Sequence, residues 1–268
     1  YDLRCTAGGN AWEGGNAPLQ WLKRFIGTGD VLRSKAGIRD WFAGALRLGD
    51  PGALTPECSR SYHGRAGNQT CLVICDLLGL FDEWDADLIA SRGCDVLRLH
   101  VWQQEQTRDA GIEPPPIRYN EDMRLTLFAA VCGEQIMGIR LRQILAALDE
   151  TRPKNMVIAG SGAGGILAGI AALFRPEIAK IIQVNTLWTY RQLFRDLHFR
   201  MEPSGAVHGI LRHFDLDDMA AVLQPARLVV VNPIGEAPDG PCVRKTLPSS
   251  YVRSTDFIIG ELRDFLGN

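Results

Sequence analysis

The sequence lacks the features that mark membrane-spanning and nucleic-acid-binding proteins. No run of roughly 20 consecutive apolar residues, the length that a membrane-spanning helix needs, occurs among its 268 residues. The formal net charge is −2 and the basic residues are spread along the chain, so no basic block can neutralise a phosphate backbone or an anionic membrane surface. We therefore expect a soluble protein that has neither nucleic acid nor a membrane as its partner.

Metal-binding patterns are also missing. The 7 cysteines form no Cys-x-x-Cys pair and the 5 histidines show no His-x-x-x-His spacing, so we expect neither a metal nor another cofactor. The odd number of cysteines, several of them inside apolar runs, favours reduced thiols. The sequon at residues 68–70 would be glycosylated only in a secreted protein. These two signals leave the compartment open.

The hydrophobic content of 46% and charged content of 22% are typical of one globular domain. Apolar residues at helical spacing over residues 19–26 and 31–46 predict two amphipathic helices before the first strand. From Cys71 onward, short unbroken apolar runs alternate with helical stretches, which is typical of strands buried on both faces of a mostly parallel sheet. We expect an N-terminal helical extension over residues 1–60, packed on a single α/β domain over 61–268.

The individual elements after the extension follow from the same patterns. The predicted strands are residues 71–75, 94–101, 156–159, 180–184 and 227–231. The predicted helices are residues 81–91, one long helix over about 120–150, and 162–174. No antiparallel strand is recognisable before Cys71.

The segment Gly160-Ser161-Gly162-Ala163-Gly164-Gly165, between a predicted strand and an apolar helix, permits three interpretations. In a nucleophile elbow, Ser161 would attack an ester from a strained strand-turn-helix junction whose neighbours must be small. As Gly160-x-Gly162-x-x-Gly165 it matches a dinucleotide fingerprint, but the next strand ends at Asn185, where that fold needs an acidic residue for the ribose. The third interpretation is a glycine-rich turn without chemistry.

With Ser161 taken as the nucleophile, the chain resembles the α/β-hydrolase superfamily and, within it, the acetyl xylan esterase-like branch. The segments that carry the resemblance are residues 129–149, the turn itself, 190–196, 209–215 and 224–232. The resemblance covers about residues 70–267 and implies an α/β-hydrolase-like three-layer sandwich with a mostly parallel central sheet. It further implies an esterase acting on small acyl esters or acetylated carbohydrates, with an oxyanion hole formed by the amides of Leu77 and Gly162. A homo- or hetero-oligomer is possible.

The remaining triad positions depart from this pattern. The loop that would deliver the acid offers Asp239 first and Glu236 second. Where the family has a Gly-His pair after its last strand, this chain has Leu-Pro-Ser-Ser-Tyr over residues 247–251, and no histidine follows His213. Among the remaining histidines, His208 is the best candidate for the base and His213 the next.

A serine hydroxyl is a weak nucleophile without a base, and loss of a triad member removes most of the rate. We therefore expect an incomplete triad and weak or absent ester hydrolysis. The alternatives are a catalytically dead binding or assembly module of the same fold and, after it, a dinucleotide-binding protein.

Overall fold

The computed structural model describes residues 32, 34–53, 55, 58–64, 70–76, 83–91, 93–101, 118–153, 155–194, 203–223, 227–235, 243–244 and 260–261. Its helices are α1 Lys35–Ala45, α2 Glu83–Ala90, α3 Arg118–Val131, α4 Ile136–Thr151, α5 Ala163–Phe174 and α6 Leu216–Val222. Its strands are β1 Ser59–His63, β2 Thr70–Asp76, β3 Cys94–His100, β4 Met156–Ser161, β5 Ile178–Val184, β6 Leu228–Val231 and β7 Val243–Arg244. No described helix is long and apolar enough to cross a membrane.

The strands form one sheet in the order β1-β3-β2-β4-β5-β6-β7. β1 pairs antiparallel with β3, whereas every other neighbouring pair is parallel. Parallel neighbours need crossover connections, which α2, α3 with α4, α5 and α6 supply in turn. This arrangement confirms the α/β-hydrolase-like sandwich with a mostly parallel central sheet. The chain reverses direction along the sheet between β2 and β4, and ligands bind open α/β sheets outside the strand ends at such a point.

Helices cover both faces of the sheet. On one face a large apolar cluster joins α1, α4 and α5 to the strands, with Ile38, Leu141 and Ile170 among its fully buried members. On the opposite face Ala86 and Ile89 of α2 pack in a smaller cluster. Because β4 and β6 have buried residues on both faces of the sheet, their apolar runs are unbroken instead of alternating with polar residues.

The helix α1 belongs to the same core. Ile38 and Phe42 are fully buried. At the end of the helix, Arg142 Nη1 donates to the Leu46 carbonyl at 2.6 Å, and Arg142 Nη2 donates to a Glu134 carboxylate oxygen at 3.0 Å. A buried ion pair therefore holds the end of α1 against α4. The predicted boundary at residue 60 stays a prediction.

Two of the secondary-structure predictions are wrong. The long helix predicted over residues 120–150 is two helices, because Gly133 adopts a φ of +69° after α3 and α4 starts only at Ile136. An antiparallel strand does precede Cys71: it is β1, whose residues Ser-Arg-Ser-Tyr-His alternate between exposed and half-buried. Such a polar edge strand shows no apolar run. The helix predicted over residues 19–26 lies outside the described residues.

Candidate functional site

The glycine-rich turn lies at the end of the central strand β4, beside the point where the chain reverses along the sheet. β4 ends at Ser161 and α5 begins at Ala163, so Gly162 alone makes the turn. Gly162 has a φ of 56° and a ψ of −126°, a backbone conformation that residues with a side chain rarely adopt. Its carbonyl accepts from the amide of Gly165 at 3.1 Å, which opens the helix. The strained residue of the turn is therefore Gly162.

The small residues around the turn are required by close packing. A Cβ at Gly160 would lie 2.3 Å from the carbonyl carbon and oxygen of Gly164. A Cβ at Gly165 would lie 2.0 Å from Thr186 Oγ1, on the segment after β5. The strand and the helix thus approach so closely that no side chain fits at either position.

Ser161 is the last residue of the extended strand. It pairs in register with Val184 of β5 and is half-buried. Side chains alternate along a strand, so Ser161 shares its face with Val157 and Ala159, both of which belong to the cluster that packs against α2. Ser161 therefore ends a central strand as predicted, but it precedes the strained residue by one position.

Three neighbouring strands are each followed by a residue with a positive φ. The residues directly after β4, β5 and β6 are Gly162, Asn185 and Asn232, and all three have a φ between 48° and 56°. Asn232 Nδ2 donates to Asn185 Oδ1 at 2.6 Å. The Asn185 side chain is thus held against its neighbour and offers no carboxylate to a ribose diol.

The other predicted site residues are only partly described. His208 is exposed, and its backbone amide donates to Gln135 Oε1 at 2.8 Å, directly before α4. The ring of His213 lies 5.7 Å from that of Trp41, centroid to centroid. The predicted acids Asp239 and Glu236, the predicted oxyanion residue Leu77, and Ser250 and Tyr251 lie outside the described residues. Their roles, like those of Ser161 and His208, stay predictions.

A second group with serine, histidine and aspartate lies on the edge strand β1. His63 Nδ1 is 2.9 Å from Asp87 Oδ1 of α2, whereas His63 Nε2 and Ser61 Oγ are buried without a hydrogen-bond partner. β3 and β2 separate β1 from β4, a distance of about 14 Å at ordinary strand spacing. This group is therefore too far away to activate a hydroxyl on the central turn.

Asp215 is a buried polar residue for which the sequence predicted only a solvated carboxylate at the start of a helix. It is fully buried, and its carboxylate accepts from the backbone amides of Tyr190 at 2.7 Å, Arg191 at 3.1 Å and Leu216 at 2.7 Å. Asp218 accepts from the Asp215 amide at 3.0 Å, which completes a capping box at the start of α6. The spacing of these two aspartates was the available signal. Their role is to fix the segment that follows β5.

No metal centre is evident in the part of the chain that the structure describes, since none of its histidine, cysteine, aspartate and glutamate side chains form a group of three that could hold an ion.

Comparisons with known proteins found similar solved structures. No protein-family model and no curated protein sequence matches the chain. Acetyl xylan esterase 1 from Thermoanaerobacterium sp. is 15% identical, with 94% of this chain and 99% of that chain covered and a TM-score of 0.46. An alpha/beta hydrolase enzyme from the metagenome of lagoon sediments of Mar Chica, Morocco, is 12% identical, with 80% and 95% covered and a TM-score of 0.42.

A thioesterase domain from the curacin biosynthetic pathway is 16% identical at a TM-score of 0.31, with 48% of this chain covered. The alignment spans only 41% of that domain, which is less than half of its length.

The order of the strands and the tight turn at the centre of the sheet give this chain an α/β-hydrolase-like fold.

Proposed function

We propose that this protein uses an α/β-hydrolase-like fold as a binding or assembly module and that it hydrolyses esters weakly or not at all. The observation that carries the proposal is the position of Ser161 in the strand, outside the strained turn. In an elbow the nucleophile occupies the sharp turn, so that its hydroxyl stands exposed at the top of the sheet. The Ser161 side chain instead continues the face formed by Val157 and Ala159.

The contacts of three described histidines, His63, His208 and His213, also bear on the proposal. His63 pairs with Asp87 on the edge strand, and the ring of His213 packs beside Trp41 of α1. His208 is exposed, and only its backbone is anchored, through Gln135. Proton removal requires a base within about 3.2 Å of the hydroxyl, or at most one water away. The contacts of His63 and His208 direct neither imidazole toward the central turn.

The test of hydrolysis is turnover of p-nitrophenyl acetate by the intact protein and by Ser161→Ala. We expect both rates to be equal and far below that of an ordinary esterase, because the binding effects that survive removal of a triad give only about 10³ to 10⁴ over water. Labelling of the intact protein with a fluorophosphonate should likewise fail. Robust turnover that Ser161→Ala abolishes would overturn the proposal and make Ser161 a working nucleophile.

The test of binding uses the ligand class that the sequence resemblance implies. We expect acetylated xylo-oligosaccharides or other small acyl esters to bind without being consumed, and the deacetylated forms to bind more weakly. Calorimetric titration with each form measures the difference. Equal heats for the two forms would contradict recognition of the acyl group. Absence of heat for either form, together with a single species at all concentrations in light scattering, would leave neither a ligand nor self-assembly and would contradict the module role.

A further inference from the structure

We infer that residue 162, and not residue 161, occupies the nucleophile position of this turn. Because residue 162 is a glycine, this position has no reacting side chain. The inference deepens the proposed function and rests on it, since both concern the same turn. Its first support is the backbone: the conformation at Gly162 is the strained one of the junction, whereas Ser161 is still in register with Val184.

The spacing of the glycines supports the same position. In Gly-x-Ser-x-Gly, one glycine lies two residues before the nucleophile and one lies two residues after it. Gly160 and Gly164 are the pair in closest approach here, because a Cβ at Gly160 would lie 2.3 Å from backbone atoms of Gly164. The residue midway between them is Gly162. Centring the pattern on Ser161 instead would put Ala159 and Ala163 at the outer positions.

The start of α5 provides a third support. Gly162 is the N-cap of α5, and its carbonyl accepts from the amides of Gly165 at 3.1 Å and Ile166 at 3.4 Å. A side chain at position 162 would therefore stand at the positive end of a 12-residue helix, where developing negative charge is stabilised. Ser161 lies one residue farther into the strand and, by alternation, on the face packed against α2.

The test introduces a thiol at each position, because a thiolate attacks esters without a histidine base. In Gly162→Cys the sulfur attacks the carbonyl carbon of p-nitrophenyl acetate, a thioester forms, and nitrophenolate leaves as the carbon–oxygen bond breaks. The thiol proton passes to buffer. The matched control is Ser161→Cys, and the burst of the unmodified protein is subtracted because its own cysteines, among them the exposed Cys132, also react.

We expect Gly162→Cys to release one nitrophenolate per molecule in a burst and Ser161→Cys to react slowly. The helix N-terminus lowers the pKa of a thiol beside it, and each unit of lowering raises the thiolate fraction at neutral pH about tenfold. The pH profile of the burst rate should therefore have its midpoint at lower pH in Gly162→Cys. A burst of equal or greater rate in Ser161→Cys would overturn the inference.

The test remains decisive even if Gly162→Cys does not fold. Ser161→Cys alone then distinguishes the two positions, because a slow reaction with an ordinary pH profile supports the inference and a rapid burst refutes it. Failure of the inference is distinguishable from failure of the proposed function. If the intact protein shows no turnover but its Ser161→Cys variant reacts rapidly, only the inference is refuted. If robust turnover survives Ser161→Ala, only the proposed function is refuted.

Discussion

Gly160→Ala is expected to destabilise the protein strongly, because the new methyl group meets backbone that cannot rotate away. The added Cβ would lie 2.3 Å from the Gly164 carbonyl carbon and oxygen and 2.7 Å from the Gly165 amide nitrogen. Real Cβ contacts are not found below 3.0 Å, so β4 and α5 must separate by about an ångström. Overpacking in a core costs about 1–3 kcal/mol when side chains can adjust, and here only backbone can move, so we expect about 3 kcal/mol or more.

The assay is thermal unfolding followed by circular dichroism, together with denaturant titration. For a domain of this size, 3 kcal/mol corresponds to a fall in Tm of about 6–12 °C. The matched control is Gly44→Ala in α1, where a Cβ meets nothing within 4 Å. That change should be neutral or stabilise by up to about 1 kcal/mol, since alanine favours the helix. Equal stability of Gly160→Ala and the unmodified protein would refute the close approach of strand and helix at this turn.

Three further predictions follow from the described contacts. Glu134→Ala should cost about 3–5 kcal/mol in urea titration because it removes the carboxylate that pairs with the buried Arg142 guanidinium, whereas Glu150→Ala, in an exposed pair, should cost at most about 1 kcal/mol. Burial raises the pKa of the Cys71 thiol to about 12, so its contribution to stability is fully present below the unfolded value near 9 and is lost as the pH rises toward 12. The free energy of unfolding should fall as the pH is raised from 7 to 11, and it should fall less in Cys71→Ala. Calorimetric titration with NAD, NADP and FAD should give no micromolar binding, because Asn185 is bonded to its neighbour and carries no charge; such binding would contradict this reasoning.

The fold follows largely from hydrophobic patterning. β4 and β6 were predictable because both of their faces are buried, which requires unbroken apolar runs. β1 was not predictable, since an edge strand with two half-buried residues in five carries no apolar run. The break between α3 and α4 was missed because Gly133 interrupts a helical pattern that continues on both sides of it, and only its positive φ marks the end of a helix.

The location of the candidate turn was predictable from the sequence, but the residue that occupies its strained position was not. A strand, a run of small residues and an apolar helix locate the turn, because only small residues allow the two backbones to meet. The run Ala-Gly-Ser-Gly-Ala-Gly-Gly nevertheless fits the motif whether it is centred on residue 161 or on residue 162. Because residue 161 is a serine, the sequence favours the first of these two assignments. What separates the two is which residue leaves the strand with a positive φ, a property of the backbone that glycine permits without any side-chain signature.

The residues that follow the two neighbouring strands also have positive φ values. Asn185 and Asn232 leave β5 and β6 with φ values of 48° and 49°, next to Gly162 at 56°. Asparagine tolerates positive φ better than most residues with a side chain. Gly162 combines its positive φ with a ψ of −126°, outside the left-handed helical region, so a hydroxyl or thiol placed there should cost about 1–3 kcal/mol of strain while leaving the sheet intact. That cost is smaller than the one expected at Gly160, where lack of space and not backbone conformation excludes the side chain. The inference about position 162 requires that a side chain be tolerated better at Gly162 than at Gly160.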